Sequence, residues 1–292
     1  MDIFYKHTIF VSTGFMKVQP YCFPCLKDLA KGVVLLTEAE EELRNECFAL
    51  IERRYSPEAS PPDIANEVLR LVRKRTGVDD PYRHKKAEEF HRALSAAPVI
   101  ARSFPSSLEG VLKCSVMGNS ADVFMEPDYD RESFVFAGNI EEIGEEIDRT
   151  GRQALIVGDN IGEFLFDLPL IRYLQGQGKE ISYAVRAGPV QNDLCMADVE
   201  LFGLREWFSN FISTGAGKVG MKRNEMGHQV RRLWESDALV IAKGMGNYET
   251  ISEFDHERRV IYVMKLKCPA VAESVKGSVG QYTAILGGDH GE

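Results

Sequence analysis

Asp159 and Asn160 are the residues of this sequence whose types and position first suggest chemistry. They follow a short apolar run at residues 154–157 and precede apolar residues at helical spacing after Gly162. This pattern predicts a buried strand that ends at a carboxylate and an amide. Because ligands bind beyond the carboxyl ends of strands in an open α/β sheet, the two oxygens suit Mg²⁺ or Mn²⁺. The alternative is that both residues only shape the turn and cap the helix.

Polar or glycine residues also follow three later apolar runs, at the point where each run ends. They are residues 186–193 after the run at 181–185, residues 214–217 after 211–213, and residues 243–249 after 239–242. Because parallel strands end at one edge of a sheet, all of them can converge with Asp159. Four polar strand ends are harder to explain by turn formation than one. The sequence therefore predicts a functional site at this edge.

The residue types at these strand ends suggest separate roles. Asp159, Asn160 and Asp193 can supply hard oxygens to one octahedral cation, with waters completing its shell. Lys243 is predicted to neutralise a phosphoryl oxygen. The turns at 215–217 and 244–246 can cradle a phosphate, because glycine permits close approach of backbone N–H groups. No complete Walker loop occurs, and no Gly-x-Gly-x-x-Gly follows the first strand, so a dinucleotide is not expected.

Asn119 and Asp122 lie just after an apolar stretch that runs from Leu108 to Met117. One interpretation is that both side chains face the same site. The other is a helix that ends at Gly118 as its C-cap, and the local residues alone favour this second interpretation.

Cys22 and Cys25 form a Cys-x-x-Cys pair near the start of the chain. Such a pair can bind zinc or carry out redox chemistry. A structural zinc needs four ligands, and only the distant Cys268 suggests itself as a further one. The favoured alternative is a helix start led by Pro24, with two buried thiols.

The predicted secondary structure changes along the chain, from helices to strands that alternate with helices. Residues 26–97 show helical periodicity, with Asp63 as the predicted N-cap of a helix over 64–75 that ends at Gly77, and residues 138–149 show a further amphipathic helix. From residue 154, strand patterns alternate with helices. The predicted strands are 154–157, 181–185, 211–213, 239–242 and 260–264. This alternation predicts an α/β fold with a mostly parallel sheet in a three-layer αβα core. We expect an N-terminal extension and helical subdomain over residues 1–107, and a metal- and phosphate-binding α/β core over 108–292.

The overall composition excludes several classes of protein. The chain has 292 residues and a formal net charge of −9, and no basic block is available for general nucleic-acid binding. No apolar run approaches the roughly 20 residues needed to span a bilayer, and residues 1–15 make a poor signal peptide. The six widely spread cysteines do not resemble a secreted disulfide framework. We therefore expect a cytoplasmic protein with no nucleic-acid or membrane partner.

Four segments, in their order, resemble the damage-control phosphatases, a family long filed as a domain of unknown function. The segments are VGDNIGEFLFD, PVQNDLCMADV, STGAGKVG and AKGMGNYE. The resemblance covers roughly residues 16–286, and it includes Cys22-x-x-Cys25 and Gly118-Asn119-x-x-Asp122, which fit the compact microbial branch. It implies an α/β core preceded by a helical subdomain. It also implies metal-dependent hydrolysis of phosphorylated metabolites.

Carried over position by position, the resemblance makes Asp159, Asn160 and Asp193 the ligands of one divalent ion (Mn²⁺, Mg²⁺, Co²⁺ or Ni²⁺). The catalytic set is Asp159, Asp193 and Lys243. The predicted substrate- and phosphate-binding set is Asn119, Asp122, Ser213, Thr214, Gly215, Lys243, Gly244, Gly246 and Asn247. The nucleophile is a water activated by the cation or the carboxylate of one of the two aspartates, and the sequence leaves both open. Lys243 and the turn amides would stabilise charge on the equatorial oxygens.

Two other classes of function remain open at this point. A human relative in the family was also described as a carboxyl methyltransferase, so an S-adenosylmethionine-dependent enzyme with Asp159 on a ribose hydroxyl is one alternative. The second is a non-catalytic sensor that binds phosphometabolites without turnover. The substrate of a phosphatase could be a sugar phosphate, a phosphopantetheine-like compound or a nucleotide by-product. The sequence carries no signal for the oligomeric state.

Overall fold

The computed structural model of the chain describes residues 16–120 and 134–288. Within these ranges lie 11 α-helices and one sheet of seven strands. The helices are α1 (Cys22–Leu36), α2 (Glu41–Arg54), α3 (Pro61–Thr76), α4 (Arg83–Arg102), α5 (Leu108–Met117), α6 (Ile140–Arg149), α7 (Glu163–Gly176), α8 (Met196–Leu201), α9 (His228–Trp234), α10 (Gly244–Ile251) and α11 (Pro269–Ser274). The strands are β1 (Phe136–Gly138), β2 (Gln153–Val157), β3 (Glu180–Val185), β4 (Phe211–Ser213), β5 (Leu239–Lys243), β6 (Val260–Lys265) and β7 (Tyr282–Gly287). None of the helices described has the length and apolarity needed to cross a membrane.

The helical periodicity predicted near the N-terminus corresponds to α1–α4. Helices α1, α2 and α3 share one apolar core, in which Val33, Cys47 and Val68 are fully buried. The predicted cap at Asp63 is wrong, because α3 begins at Pro61. A proline fits the first turn of a helix, where its missing N–H is not needed. The predicted end is confirmed, since Gly77 follows α3 with φ of 73° in the left-handed region.

The sheet has the order β1-β7-β6-β5-β2-β3-β4, and its strands are parallel except for the antiparallel pair β6 and β7. All five predicted strands are present within one residue of their predicted ends. Strands β1 and β7 were not predicted. β1 has only 3 residues, and β7 is antiparallel to its neighbour β6, so neither fits the strand–helix alternation on which the prediction depended.

Alternate residues of each central strand face two different apolar cores. In β2, Ala154 and Ile156 pack with α4–α8 on one face of the sheet, whereas Leu155 and Val157 pack with α9–α11 on the other. This arrangement confirms the predicted three-layer α/β architecture. Helix α4 contributes Phe90 to the first of these cores, so it packs with the sheet although it lies before residue 107, the predicted boundary.

The strand order reverses direction between β2 and β5. From β2 the chain proceeds outward to β3 and β4, and it then returns to add β5 and β6 on the other side of β2. Loops that leave neighbouring strands in opposite directions open a crevice at the carboxyl edge, which is where open α/β sheets bind ligands. The residues that follow β2 and β5 therefore meet at this switch point.

Candidate active site

A cleft of about 280 Å³ opens at the carboxyl edge of the sheet. Asp159, Asn160 and Asp193 all line it. Further lining residues come from the start of α1, the start of α3 and the loop after β6. The structure thus brings the three predicted metal ligands to one cleft, between the sheet and the N-terminal helices.

Backbone hydrogen bonds hold the loops after β2 and β3 side by side. Asn160 and Asp193 form an isolated antiparallel bridge. The Leu194 N–H donates to the Asp159 carbonyl at 2.8 Å, and the Ile161 N–H donates to the Asn192 carbonyl at 2.9 Å. Residues more than 30 positions apart in sequence are fixed next to each other by main-chain groups, so the spacing of their side-chain oxygens does not depend on a ligand.

Arg186 was not among the predicted site residues, although it lies between the two carboxylates. Its guanidinium donates from Nε to Asp193 Oδ2 at 2.7 Å and from Nη1 to the Gly220 carbonyl at 2.9 Å. Its Nη2 lies 3.8 Å from Asp159 Oδ1. One fully buried cation therefore contacts both aspartates, which places the two carboxylates within the span of a single guanidinium. The only sequence signal was an arginine that directly follows an apolar strand.

Glu89 on α4 links the same two loops from behind, and sequence reasoning missed it as well. One carboxylate oxygen accepts from the Gly162 N–H at 3.2 Å, and the other accepts from Asn192 Nδ2 at 2.8 Å. The side chain is buried, and burial raises its pKa to about 7 although both of these hydrogen bonds lower it. Glu89 lies 70 positions before Asp159, and nothing in its local sequence indicates this contact.

Gly244 permits the close approach of β5 to Asp159. It begins α10 with φ of 74°, a conformation that favours glycine, and a Cβ at this position would overlap Asp159 Oδ2. Asp159 Oδ2 also accepts from Asn119 Nδ2 at 3.2 Å. The carboxylate is therefore positioned by its contact with Gly244 and by its hydrogen bond to Asn119.

Replacing Gly244 with alanine should displace Asp159 as well as strain the backbone. We expect Gly244→Ala to lower the free energy of unfolding by about 1–3 kcal/mol and to weaken divalent-metal binding, measured by urea denaturation and by titration calorimetry. Gly178→Ala is the matched control, because Gly178 has φ of 82° and open space around its Cβ position. Equal metal affinity in the two variants would show that the contact with Asp159 does not position the carboxylate.

Lys243 is fully buried and lies outside the cleft lining. Its ammonium lies 2.6 Å from Glu163 Oε1 and 2.6 Å from Asp167 Oδ1, and it donates to Ser115 Oγ at 2.8 Å. Burial lowers the pKa of Lys243, but the charges of Asp167 and Glu163 outweigh that effect and raise it. The ammonium is therefore paired inside the protein and is not placed to neutralise a phosphoryl oxygen, the role predicted for it.

Two predicted asparagines are buried and organise the site from within. Asn119 Nδ2 donates to Glu163 Oε2 at 3.2 Å as well as to Asp159. Its side-chain oxygen Oδ1 accepts from the Lys265 N–H at 3.0 Å. Asn247 donates to the Gly158 carbonyl at 3.0 Å and to the Lys243 carbonyl at 2.7 Å. Asn119 thus orients a metal-ligand candidate, and Asn247 joins the ends of β2 and β5. The helix α5 ends at Met117 with Gly118 as its C-cap, as one interpretation predicted, and Gly118 has φ of −59° and begins a 3-10 turn.

The remaining predicted phosphate-binding residues divide between the cleft and the edge of the sheet. Gly246 lines the cleft. Ser213, Thr214 and Gly215 do not line it; they follow β4, which is an edge strand of the sheet. There Ser213 Oγ accepts from the Gly215 N–H at 3.1 Å, and Thr214 Oγ1 donates to the Ala216 carbonyl at 3.2 Å. The structure does not bring these three residues to the site, and Asp122 lies outside the described residues.

Carboxylates outnumber cations in the described lining of the cleft. Three carboxylates line it, those of Asp159, Asp193 and Glu249. Lys267 is the one cationic side chain in this described lining. Burial, followed by the charges of Asp193 and Glu163, raises the pKa of Asp159 to about 8, although Arg186 and Lys267 lower it. Burial and the charge of Asp159 likewise raise the pKa of Glu249 to about 7. Local negative charge in excess of local positive charge favours the binding of a cation.

The donor set fits a hard divalent ion better than zinc. Two carboxylates and an amide, open to one cleft, are the oxygen ligands that Mg²⁺ and Mn²⁺ prefer. No group of three or more His, Cys, Asp or Glu side chains in residues 16–120 and 134–288 is arranged to hold a metal. Cys22, Cys25 and Cys268 all line the cleft, but they do not form such a group. Helix α1 starts at Cys22, two residues before the Pro24 that was predicted to lead it, and only the Cys22 thiol is buried, since Cys25 is exposed.

The sequence and the fold both have close counterparts among known proteins. The family profile described as "Damage-control phosphatase ARMT1-like domain" matches residues 18–282. A damage-control phosphatase of Pyrococcus horikoshii is 28% identical over 275 residues, which are 89% of this chain and 95% of that protein. A damage-control phosphatase of Archaeoglobus fulgidus is 25% identical over 285 residues, 92% of this chain and 99% of that protein. The crystal structure of a DUF89 family protein from P. horikoshii has a TM-score of 0.79 at 27% identity, and covers 92% of this chain and 98% of its own.

Proposed function

We propose, because the chain belongs to the damage-control phosphatase ARMT1-like domain family, that it is a metal-dependent phosphatase acting on small phosphorylated metabolites. The observation that carries this proposal is the convergence of Asp159, Asn160 and Asp193 on one cleft that also contains Lys267. Such a site can bind a cation and a phosphate together. The substrate could be a sugar phosphate, a phosphopantetheine-like compound or a nucleotide by-product. All three carry a phosphate group, and the proposal concerns how this group is bound and hydrolysed.

In this proposal Asp159, Asn160 and Asp193 hold one divalent ion, Mn²⁺, Mg²⁺, Co²⁺ or Ni²⁺. When bound, the ion would polarise a phosphoryl oxygen and lower the pKa of a water. The charge on the phosphate is met by Lys267 and by the free N–H groups at the start of α10 near Gly246, because a helix N-terminus favours anions. Burial and the charge of Asp159 raise the pKa of the Glu249 carboxyl to about 7, so we propose it as the general acid that donates a proton to the leaving alkoxide.

Lys267 takes the role that the sequence suggested for Lys243. It lies in the cleft lining, where Lys243 does not, and its charge lowers the pKa of Asp159. An ammonium that lines the same cleft as the proposed metal ligands is a suitable partner for an equatorial phosphoryl oxygen.

Phosphate release in the presence and absence of metal tests the proposed function. The protein, stripped with EDTA, is given p-nitrophenyl phosphate and a panel of metabolite esters with Mg²⁺, Mn²⁺, Co²⁺ or Ni²⁺. We expect phosphate release only with added metal, and its loss on renewed chelation. Binding of esters with no release would favour the sensor, whereas metal-independent binding of S-adenosylmethionine would favour the methyltransferase.

Glu89 gives a test of how the metal ligands are positioned. Glu89→Ala removes the acceptor of both Gly162 N–H and Asn192 Nδ2, so the loops that carry Asp159 and Asp193 lose their common anchor. We expect metal affinity to fall about 10- to 100-fold in titration calorimetry, which is typical for the loss of a residue that orients ligands. Glu88→Ala is the control, because Glu88 is an exposed neighbour on the same helix. An unchanged affinity in Glu89→Ala would mean that the backbone bridge alone sets the spacing.

A further inference from the structure

Most of the described lining of the cleft beyond the carboxylates is apolar. We name as the apolar wall the residues Leu26, Leu29, Pro61, Pro62, Ala65, Val219, Met245 and Pro269. They come from α1, from the start of α3, from the starts of α10 and α11, and, for Val219, from the loop after β4. Leu26, Pro62 and Ala65 are buried, while Leu29 is half-buried at the surface of the cleft. The apolar wall therefore surrounds the space in which the body of a phosphate ester would lie.

Several of the polar groups next to the apolar wall are already bonded within the protein. The Tyr21 hydroxyl donates to Glu273 Oε2 at 3.1 Å, and Met245 Sδ accepts from the Lys267 N–H at 3.2 Å. The side-chain amide of Asn66 makes two hydrogen bonds to the backbone of Val219. Its Oδ1 accepts from the Val219 N–H at 2.8 Å, and its Nδ2 donates to the Val219 carbonyl at 3.2 Å. The cysteine thiols in the lining are weak hydrogen-bonding groups. Beyond the carboxylates, Lys267 and the amides of Asn160 and Gln191, a substrate rich in hydroxyls would meet a described lining that offers few replacements for its hydrogen bonds with water.

The charges and the size of the cleft limit the substrate further. Within the described lining, Lys267 is the one cationic side chain, against the carboxylates of Asp159, Asp193 and Glu249. A single phosphate can be bound by this lysine and a metal, but a second anionic group would find no further cationic side chain in the described lining. The volume of about 280 Å³ lies at the lower end of the range of roughly 300–1,000 Å³ that is usual for ligand sites.

We propose that this cleft selects small phosphate monoesters whose body is apolar, such as alkyl, alkenyl or aryl phosphates, in preference to sugar phosphates. The apolar wall supplies the selectivity, and Leu29 is the specificity-determining residue that is most open to replacement. This inference rests on the proposed function for the phosphate end of the substrate. Binding removes the apolar body of the substrate from water. The favourable free energy of this step grows with the buried apolar area, and therefore with the chain length of the ester.

The experiment compares esters that share a primary alkoxide leaving group and differ in their body. Ethyl, n-butyl and n-hexyl phosphate are assayed with the metal-loaded protein against glycerol 3-phosphate and glucose 6-phosphate. We expect kcat/KM to rise about threefold per added methylene. We also expect n-butyl phosphate to exceed glycerol 3-phosphate by about tenfold or more. A sugar phosphate that matches or exceeds the alkyl series would overturn the inference and leave the phosphatase assignment intact.

A pair of leucine variants on α1 locates the selectivity. Leu29→Asn makes the apolar wall polar, so we expect it to reduce the ratio of kcat/KM for hexyl over ethyl phosphate by about fivefold or more. Leu35→Asn is the matched control, because Leu35 lies on the same helix, is 78% exposed and is not in the cleft lining; its ratio should equal that of the parent. An unchanged ratio in a folded Leu29→Asn variant would contradict the proposal that the apolar wall supplies the selectivity.

Binding measurements separate this inference from the proposed function. If no ester releases phosphate with any metal, the phosphatase assignment fails, and non-hydrolysable ethyl-, butyl- and hexylphosphonate are titrated calorimetrically instead. Affinity that rises with chain length would then still support an apolar ligand body. Affinity independent of chain length would overturn the inference by a route that does not depend on turnover.

Discussion

Asp159→Asn is expected to lower metal-dependent phosphate release by at least about 10³-fold while the fold persists. Asp159 lines the cleft with Asn160 and Asp193, so asparagine removes one of the two carboxylate charges proposed to bind a divalent ion. It keeps nearly the same shape beside Gly244. The measurements are kcat/KM for phosphate release, metal affinity by calorimetry, and thermal unfolding of the metal-free protein.

The stability of the metal-free variant distinguishes a binding site from a structural carboxylate. Asp159 lies close to Asp193 and Glu163, and burial together with these charges raises its pKa. Removing a negative charge from this cluster should therefore leave the unfolding temperature of the metal-free protein equal to or above that of the parent. Asp148→Asn, on the exposed face of α6, is the control and should change neither activity nor metal affinity. Full turnover in Asp159→Asn would exclude Asp159 from the site.

Lys243→Met is expected to destabilise the fold by about 3–5 kcal/mol, which is typical when one partner of a buried ion pair is removed. Methionine fits the space, but Glu163 and Asp167 are left as buried carboxylates without their cation. The free energy of unfolding from urea denaturation measures the effect. A lysine that served only to bind phosphate would give the opposite pattern, a loss of activity with unchanged stability.

The pH dependence of the same variant identifies the cause. Burial raises the pKa of Glu163 to about 7, although Lys243 lowers it, so removal of Lys243 raises it further. A carboxyl whose pKa is higher in the folded protein than in the unfolded chain adds stability as the pH falls. The deficit of Lys243→Met should therefore narrow as the pH is lowered from about 8 to about 5. Lys31→Met, which removes an exposed lysine paired with Asp28, should stay within about 0.5 kcal/mol of the parent at each pH.

The central strands and the oxygen donors at their ends could be predicted because both depend on local patterns. A buried parallel strand needs a short, continuous apolar run, and residues 154–157 and 239–242 meet that need without help from distant parts of the chain. Once these strands are parallel, Asp159 and Asp193 have to lie at the same edge of the sheet. The fold class is thereby confirmed, whereas the metal-binding role of these residues stays a prediction.

The position of a residue in the strand order could not be predicted in the same way. Ser213, Thr214 and Gly215 have the local appearance of a phosphate-binding turn, but they follow β4 at the edge of the sheet. Lys243 also follows a strand, and its burial is decided by Ser115 on α5 and Asp167 on α7. A sequence pattern shows that a polar residue ends a strand but does not show which neighbours close over it.

Strands that end in hard oxygen donors follow from local sequence, because hydrophobic periodicity and residue chemistry are properties of short segments. The groups that surround those donors depend on the packing of the whole chain. Arg186 between the carboxylates, Glu89 behind the two loops and the apolar wall from α1 and α3 come from segments far apart in the chain. Their contacts arise from the packing of helices on the sheet, which brings together residues whose local sequences carry no sign of one another.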